Sequence, residues 1–319
     1  MTILLVGANG QVGQELRQTL GALVKKTDAS DTAFQSLTAV SRAELDLTDL
    51  DAIAQKVRTL SPTLIVNAAA YTAVDKAESE PELAHRINAE APKALALAAA
   101  ECGAAILHIS TDYVFAGDDS SPRVETDATG PISVYGKTKL AGEDAIREVL
   151  DNHVILRTAW VYGCYGKSNF VKTMLRLAAE RQQLSVVNDQ IGSPTWAKDI
   201  ADAIAHLSPL IRQQSGNYHG TYHFTNSGTA SWHEFAKTIF QEARSIGVPL
   251  AIETLNAIPT ADYPTPASRP AYSVMNCQKI TDVLGYAPPT WQDSLKQMLQ
   301  QYVQMNNLVP TASVKSTVQ

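Results

Sequence analysis

The chain has 319 residues, 45% of them hydrophobic, which is enough to bury one large core or two unequal ones. Its net charge of −6 gives no general electrostatic attraction for nucleic acid or for an anionic membrane. The three cysteines are far apart and lack C-x-x-C spacing, which argues against a disulfide framework or a zinc site and indicates a reducing compartment.

The N-terminal segment does not have the features of a signal peptide. It lacks a charged leading region and a small-residue cleavage site. The longest apolar run, residues 94–100, is far too short to cross a bilayer. We therefore expect a cytoplasmic protein that binds neither nucleic acid nor membrane.

Strands and helices alternate through the first half of the chain. Short apolar runs predict buried strands, and the segments between them have helical spacing. The predicted strands are residues 2–6, 37–40, 64–66, 105–109 and 154–156, and the predicted helices are residues 11–20, 50–60, 81–102 and 133–150. This pattern predicts an α/β fold with a Rossmann-type, doubly wound parallel sheet, which binds ligands at the carboxyl ends of its strands.

The second half is less regular. Helices are predicted over residues 198–207, 232–246 and 292–302, an ordered loop over 190–195, and an extended segment over the four prolines of 259–270. We predict a dinucleotide-binding domain over residues 1–165, which also receives elements from about 185–225. A smaller α/β substrate domain should occupy 166–306, followed by a disordered tail over 307–319.

Three glycines, Gly7, Gly10 and Gly13, lie between the first predicted strand and the first predicted helix. Glycine lets the backbone turn tightly and approach a pyrophosphate, while the helix N-terminus offers free N–H groups. The spacing departs from G-x-G-x-x-G because the first two glycines are three residues apart. Its position after a strand and before a helix still favours a dinucleotide-binding loop over an ordinary glycine-rich turn.

The second predicted strand ends at Ser41 and Arg42 rather than at the acid that usually binds the ribose of NAD. A hydroxyl and a guanidinium suit a ribose 2′-phosphate, so the sequence predicts NADPH. The alternative is that Arg42 is a solvated surface charge, which would leave NADH as the cofactor. Asp46 and Leu47 follow closely enough to meet the adenine edge.

Tyr135 and Lys139 are four residues apart on a predicted helix, so they share one face. A ketone reduced by hydride needs a proton donor, and a free tyrosine has a pKa of about 10. We expect the ammonium group of Lys139 to lower the pKa of Tyr135 and to hold the nicotinamide ribose. A hydroxyl of the segment 110–113, which follows the fourth strand directly, would orient the substrate carbonyl. The sequence thus predicts a reductase.

Longer segments carry a family resemblance. They read VNAAAYTAVDKAE at 66–78, STDYVF at 110–115, VYGKTKLAGE at 134–143, RTAWVY at 157–162, NDQIGSPT at 188–195 and PTPASRP at 264–270. In these segments the chain resembles the extended short-chain dehydrogenase/reductases and, within them, the dTDP-4-dehydrorhamnose reductase family. The resemblance implies reduction of dTDP-4-dehydro-β-L-rhamnose to dTDP-L-rhamnose by NAD(P)H, the last step of dTDP-rhamnose synthesis.

The resemblance also implies the roles of single residues. Tyr135 would be the general acid, Lys139 its partner, and Thr111 the orienting hydroxyl. The implied substrate ligands are Thr111, Asp112, Tyr135, Trp160 and, for the diphosphate, Arg269. The implied cofactor ligands are Gly7, Asn9, Gly10, Gln11, Val12, Gly13, Ser41, Arg42, Asp46, Leu47, Ala68, Ala69, Ala70, Tyr71, Thr72, Tyr135 and Lys139.

Arg269 has an alternative reading, in which it forms an ion pair that braces the proline segment. Some family members dimerise around a magnesium ion held by three acidic positions. Glu15 matches the first of these, whereas Lys198 and Gln301 occupy the other two. Because a Mg²⁺ site requires oxygen ligands, the sequence argues against the metal and that dimer, and it leaves a monomer or a homodimer open.

Two other functions remain open at this stage. Another nucleotide-sugar reductase or epimerase could use the same fold, since a fold does not fix the substrate. A related NADP-binding subunit regulates methionine adenosyltransferase without evident reductase activity. The presence of Thr111, Tyr135 and Lys139 together favours an enzyme.

Overall fold

The computed structural model describes residues 1–26, 34–118, 120–211 and 218–308. The strands are β1 Thr2–Val6, β2 Ser36–Val40, β3 Leu64–Asn67, β4 Ala105–Thr111, β5 His153–Thr158, β6 Val161–Tyr162, β7 Gln183–Val187, β8 Ile191–Gly192, β9 Thr195–Trp196, β10 Gly220–His223, β11 Ala230–Ser231 and β12 Thr254–Ile258. The helices are α1 Gln11–Lys26, α2 Leu50–Leu60, α3 Val74–Ala77, α4 Pro81–His85, α5 Ala91–Cys102, α6 Val134–Val149, α7 Phe170–Glu180, α8 Ala197–Ile211, α9 Trp232–Ser245, α10 Gln278–Leu284 and α11 Trp291–Asn306.

In the described chain, six strands form one sheet in the order β10-β5-β4-β3-β1-β2, and every pair is parallel. Parallel strands are buried on both faces, which accounts for the fully buried run from Ile3 to Val6 in β1. One face carries α1 and α8, and the other carries α2 and α5. The predicted doubly wound parallel sheet is confirmed.

A second core lies outside this sheet. It packs α7, α9 and α11 against β7 and around Trp196 and Trp291. Strand β12 pairs with β7 in parallel, so two segments distant in sequence form one small sheet. A capping box formed by Ser231 and Glu234 opens α9. The boundary between two domains stays a prediction, although the existence of two separate cores is consistent with it.

Several elements differ from the sequence-based expectation. The single helix predicted over 81–102 is interrupted by a π-helical turn, Arg86–Glu90. Pro92 follows this turn, and because proline lacks an N–H, the carbonyl of Asn88 has no donor four residues on. Gly103 ends α5 in the left-handed conformation.

The proline segment is not extended throughout, since Thr260–Asp262 forms a short 3₁₀ helix. The predicted loop at 190–195 contributes to the two short strands β8 and β9. The final helix continues to Asn306, and Asn307 caps it in the left-handed conformation. The disordered tail over 307–319 stays a prediction. The rest of the tail from 309 lies outside the described residues. No helix in the described part of the chain is both long and apolar enough to span a membrane.

Candidate active site

The loop after β1 leaves no space for a side chain at Gly7 or at Gly13. Gly7 has a φ of +86°, and a Cβ there would lie 2.7 Å from the nitrogen of Ala69. A Cβ on Gly13 would lie 2.0 Å from the oxygen of Gly7. The loop therefore packs directly against the N-terminus of α1, and this close backbone approach fits the cradle of a dinucleotide pyrophosphate.

Helix α1 presents its first turn to this cradle. The side chain of Gln11 is fixed by bonds to the carbonyl of Val161 at 3.0 Å and to Asn169 at 2.6 Å. The first N–H groups of a helix have no acceptor within it, so those of Gln11, Val12 and Gly13 are available to an anion. Asn9 and Gly10 are exposed beside them.

At the end of β2, Ser41 is already bonded to an acid. Its backbone N–H and its hydroxyl both donate to Oε2 of Glu44, each at 2.8 Å. These two bonds lower the pKa of Glu44, so the group is charged at neutral pH. Arg42 is exposed, Asp46 accepts two bonds from Thr48, and Leu47 is buried. The carboxylate beside Ser41 was not anticipated from the sequence.

The segment after β3, from Ala68 to Thr72, runs along the same edge of the sheet. Asn88 from the π turn anchors it, accepting from the N–H of Tyr71 at 2.8 Å and donating to its carbonyl at 3.1 Å. The hydroxyl of Tyr71 donates to Glu80 at 2.7 Å. Sequence reasoning missed Asn88, because its function depends on a helix distortion.

Helix α6 carries Tyr135 and begins after Ser133, whose side chain accepts from the N–H of Gly136 at 3.2 Å. A Cβ on Gly136 would lie 2.2 Å from the carbonyl oxygen of Tyr113. Glycine at this position lets the first turn of α6 rest on the backbone that leaves β4. Tyr135 is buried there, with its ring edge-on to that of Tyr113 at 5.4 Å.

The chemistry of Tyr135 is set by burial. Burial raises its pKa to about 12, while the Thr111 hydroxyl acts in the opposite direction. Thr111 donates to Oδ1 of Asp112 at 3.0 Å. Asp112 is also buried, and its pKa is raised to about 6. The structure thus brings Tyr135, Thr111 and Asp112 together, as the sequence predicted.

The amine of Lys139 contacts two groups of β4. Its Nζ donates to the carbonyl of Ile109 at 2.7 Å and lies 3.1 Å from Nε2 of His108. Burial lowers its pKa to about 8. Lys139 thus faces β4 in this arrangement, and the expectation that it lowers the pKa of Tyr135 stays a prediction.

A buried ion pair braces the helix that holds both residues. Glu143, one turn beyond Lys139, is fully buried and accepts from Arg157 at 2.7 Å, from Arg147 at 2.6 Å and from Ser110 at 2.5 Å. Two guanidinium groups and a hydroxyl satisfy the carboxylate, which lowers its pKa despite burial. This network locks α6 to β4 and β5.

Trp160 lies just beyond β5 in a strained backbone conformation, with a φ of +48°. Its indole stacks on that of Trp232 with centroids 3.5 Å apart and an interplanar angle of 3°. A Cβ on Gly192 would lie 2.4 Å from the Trp160 ring, so this glycine is needed to make room for it. Trp232 and Gly192 were not among the predicted site residues.

Arg269 forms an ion pair, the arrangement that the sequence left open as the alternative to a diphosphate ligand. It donates to Asp75 at 2.8 Å, and the other oxygen of Asp75 accepts from the N–H of Ala267 at 3.2 Å. A Cβ on Gly117 would meet Pro270 at 2.3 Å, so the proline segment also packs on the loop after β4. Arg269 therefore ties the second half of the chain to α3 in the first half.

Glu15 lies away from these groups, on α1. It is 2% exposed and burial raises its pKa to about 7, with Lys198, Asp202 and Asp199 around it. Lys198 is paired with Asp202 at 2.5 Å. Within the ranges that the structure describes, no group of three or more histidine, cysteine or acidic side chains is arranged to hold a metal ion.

Comparison with known proteins gives one consistent family. The RmlD substrate binding domain family matches residues 1–304. A dTDP-4-dehydrorhamnose reductase of Escherichia coli K12 is 48% identical over 301 residues, covering 94% of this chain and 97% of the relative. One of Salmonella typhimurium is 49% identical over 299 residues, with the same coverage. The crystal structure of the Bacillus anthracis reductase in complex with NADP has a TM-score of 0.81 at 36% identity, covering 94% of this chain and 99% of that one.

From the close contact at Gly136 we predict how a side chain there would change the free energy of unfolding. Gly136→Ala should destabilise the fold by about 1–3 kcal/mol, because its Cβ would be forced against the Tyr113 carbonyl. Gly21→Ala is the matched control, since this helical glycine has open space around it and alanine should stabilise by up to about 1 kcal/mol. Urea unfolding measures both, and equal effects of the two changes would contradict the packing argument.

Proposed function

Since the chain belongs to the dTDP-4-dehydrorhamnose reductase family, we propose that it reduces dTDP-4-dehydro-β-L-rhamnose to dTDP-L-rhamnose, the last step of dTDP-rhamnose biosynthesis. The observation that carries the proposal is a protonated phenol, Tyr135, buried beside the Thr111 hydroxyl where β4 ends. That arrangement offers a proton and an orienting hydroxyl to one carbonyl oxygen. The high identity to named reductases selects this ketone among nucleotide sugars.

The residues present fit a dinucleotide cofactor. The glycines at 7 and 13 leave the backbone of the first loop uncovered, and α1 points its N-terminus at it. When bound, NAD(P)H supplies the hydride, which is the cofactor's own chemistry. We propose that the loop from Gly7 to Gly13 holds the pyrophosphate, the end of β2 the adenosine, and residues 68–72 with Lys139 the nicotinamide side.

Tyr135 supplies the proton. A phenol with a pKa of about 12 is fully protonated at neutral pH, so it is available as an acid when negative charge develops on the ketone oxygen. As the C4–H bond forms, the electron pair of the carbonyl moves to oxygen and takes the proton from Tyr135. Thr111 would stabilise the remaining phenolate once its hydroxyl turns from Asp112. Lys139, with a pKa near 8, would return a proton to it after leaving its contacts on β4.

The sugar nucleotide would lie between the two cores. We propose that Asp112 accepts from a sugar hydroxyl, that Trp160 packs on the sugar, and that Arg269 binds the diphosphate. Arg269 is paired with Asp75, so binding the diphosphate would exchange one anionic partner for another. Residues 166–306, apart from the elements that join the large sheet, would form the substrate domain.

We place the reaction in the cytoplasm, with the protein as a monomer or a homodimer. The three cysteines are free in the structure, which suits a reducing compartment. NADPH is the proposed cofactor, in keeping with the NADP complex of the Bacillus anthracis relative. The charge on Glu44 beside Ser41 would oppose a 2′-phosphate, whereas Arg42 would attract it.

Replacement of the acid tests the mechanism. Tyr135→Phe should reduce kcat for dTDP-4-dehydro-β-L-rhamnose by roughly 10²–10⁴-fold, since a positioned acid contributes that much, and leave NADPH affinity nearly unchanged. NADPH oxidation and fluorescence titration measure the two quantities.

The exposed Tyr286→Phe is a matched control and should behave as wild type. If Tyr135→Phe keeps more than roughly a tenth of kcat, the assignment of the acid is wrong. Faster turnover of UDP- or GDP-linked keto sugars than of the dTDP sugar would instead show that the substrate carries a different nucleotide.

A second prediction concerns cofactor preference. Glu44→Gln should lower the ratio of KM for NADPH to KM for NADH by roughly three- to tenfold, because it removes a negative charge near the 2′-phosphate while keeping an acceptor for Ser41. Arg42→Gln should move the ratio the other way. A ratio that stays constant in both variants would show that the end of β2 does not select the cofactor.

A further inference from the structure

A line of three buried polar side chains leads from the centre of the sheet to the active site. Nδ2 of Asn67, at the end of β3, lies 3.0 Å from Nδ1 of His108 on β4. Nε2 of His108 lies 3.1 Å from Nζ of Lys139 on α6. All three side chains are at most 1% exposed, so their polar atoms must find hydrogen-bond partners within the protein.

The first contact fixes the orientation of the Asn67 amide. Its Oδ1 accepts from the backbone N–H of Ala69 at 3.1 Å. Turning the amide over would place its NH₂ against that N–H and leave two donors facing each other. Oδ1 must therefore face Ala69, and Nδ2 must donate to Nδ1 of His108.

The amide then fixes the histidine. An imidazole nitrogen that accepts a hydrogen bond carries no hydrogen, so neutral His108 has its hydrogen on Nε2. Burial lowers its pKa well below the usual range, so the doubly protonated ring is excluded at neutral pH. The N–H at Nε2 points at Nζ of Lys139.

An ammonium group cannot accept that N–H, because it has three donors and no lone pair. A neutral amine can accept it and still donate to the carbonyl of Ile109 at 2.7 Å. We propose that Asn67 fixes His108 as the Nε2–H tautomer and that His108, as a positioning residue, stabilises the neutral amine of Lys139 when the lysine lies against it.

The surrounding charges allow this state. Glu143 on α6 favours the ammonium form, but its charge is shared with Arg157 from β5 and Arg147 from α6. Two further titratable groups at this end of the sheet, the phenol of Tyr135 on α6 and the carboxyl of Asp112 after β4, are also buried. Burial already lowers the pKa of Lys139 to about 8, and the bond from His108 acts in the same direction.

The consequence for catalysis rests on the proposed function. To bind the nicotinamide ribose and reprotonate Tyr135, Lys139 must leave His108 and act as a hydrogen-bond donor. It then takes up a proton that the resting arrangement disfavours. Binding of NADPH should therefore be coupled to proton uptake, and kcat/KM for NADPH should fall as pH rises above the pKa of the resting lysine.

Asn67→Asp tests the proposal with a nearly isosteric change. The carboxylate would still accept from Ala69, but its second oxygen would accept from Nδ1–H of His108. The tautomer should then reverse, Nε2 should accept from an ammonium group, and the pKa of Lys139 should rise by roughly one pH unit or more. His108→Gln should raise it as well, because Gln can present its carbonyl oxygen to Nζ.

Two NMR measurements on protein without added nucleotide decide the matter. Long-range ¹H–¹⁵N spectra of histidine-labelled protein give the tautomer, with His108 identified by its loss in His108→Gln. The ¹³Cε shift of Lys139, identified by its loss in Lys139→Met, gives the lysine pKa. We expect Nε2–H and a pKa below about 8 in the wild type, and Nδ1–H in Asn67→Asp.

The exposed His206→Gln is the matched control and should change neither the tautomer nor the lysine pKa. A wild-type Nδ1–H tautomer, or the same lysine pKa in wild type, Asn67→Asp and His108→Gln, would overturn the proposal. If Asn67→Asp does not fold, His108→Gln decides through the lysine pKa. These results do not require the keto sugar, so a failure of the proposed reaction would appear separately, as an absence of NADPH oxidation.

Discussion

The close contact between α6 and the backbone around it is the constraint on which the rest of the site depends. Gly136 lets the helix start on the carbonyl of Tyr113, and Gly142 lets it pass the carbonyl of Asn88, which a Cβ would approach to 2.1 Å. With the helix this close, Tyr135 reaches Thr111 and Lys139 reaches β4. Larger residues would lift α6 and separate Tyr135, the proposed acid, from the Thr111 hydroxyl that we propose orients the substrate.

The close packing of α6 brings charged groups into the interior. Pairing with groups of opposite charge offsets the free energy that their burial costs. Glu143 is satisfied by two arginines and a serine, so a carboxylate can be fully buried one turn from a lysine that burial drives toward its neutral form. The same burial raises the pKa of Tyr135. Burial therefore favours the neutral phenol of Tyr135 and makes the amine of Lys139 a weaker base. In both groups burial is the largest cause of the pKa shift.

The features that could be predicted from the sequence are local ones. The glycine loop before α1, the four-residue spacing of Tyr135 and Lys139, and the cap of α9 each depend on a few consecutive residues. Helix α7 was missed although Asn169 caps it and its buried residues recur at helical spacing, so a signal was present. The pairing of β7 with β12 could not be read in this way, because it joins segments that are distant in sequence.

The partners of the predicted site residues were the least accessible to sequence reasoning. Spacing placed Lys139 beside Tyr135 on the helix, but the direction of its amine depends on His108 and Ile109 of β4. Likewise Ser41 was identified by its position, whereas its bond to Glu44 depends on the turn that follows β2. Such contacts are decided by three-dimensional packing that no local pattern encodes.

The π turn before α5 also makes Pro92 and Gly142, two positions distant in sequence, depend on each other. Pro92 removes the N–H that would pair with Asn88, and Gly142 makes room for the carbonyl thus released. A lineage that replaced the proline could straighten the helix and withdraw Asn88 from Tyr71, while one that replaced the glycine would collide with the freed carbonyl. The two residues should therefore be inherited together, as a covarying pair that shapes the edge of the sheet where we propose the cofactor binds.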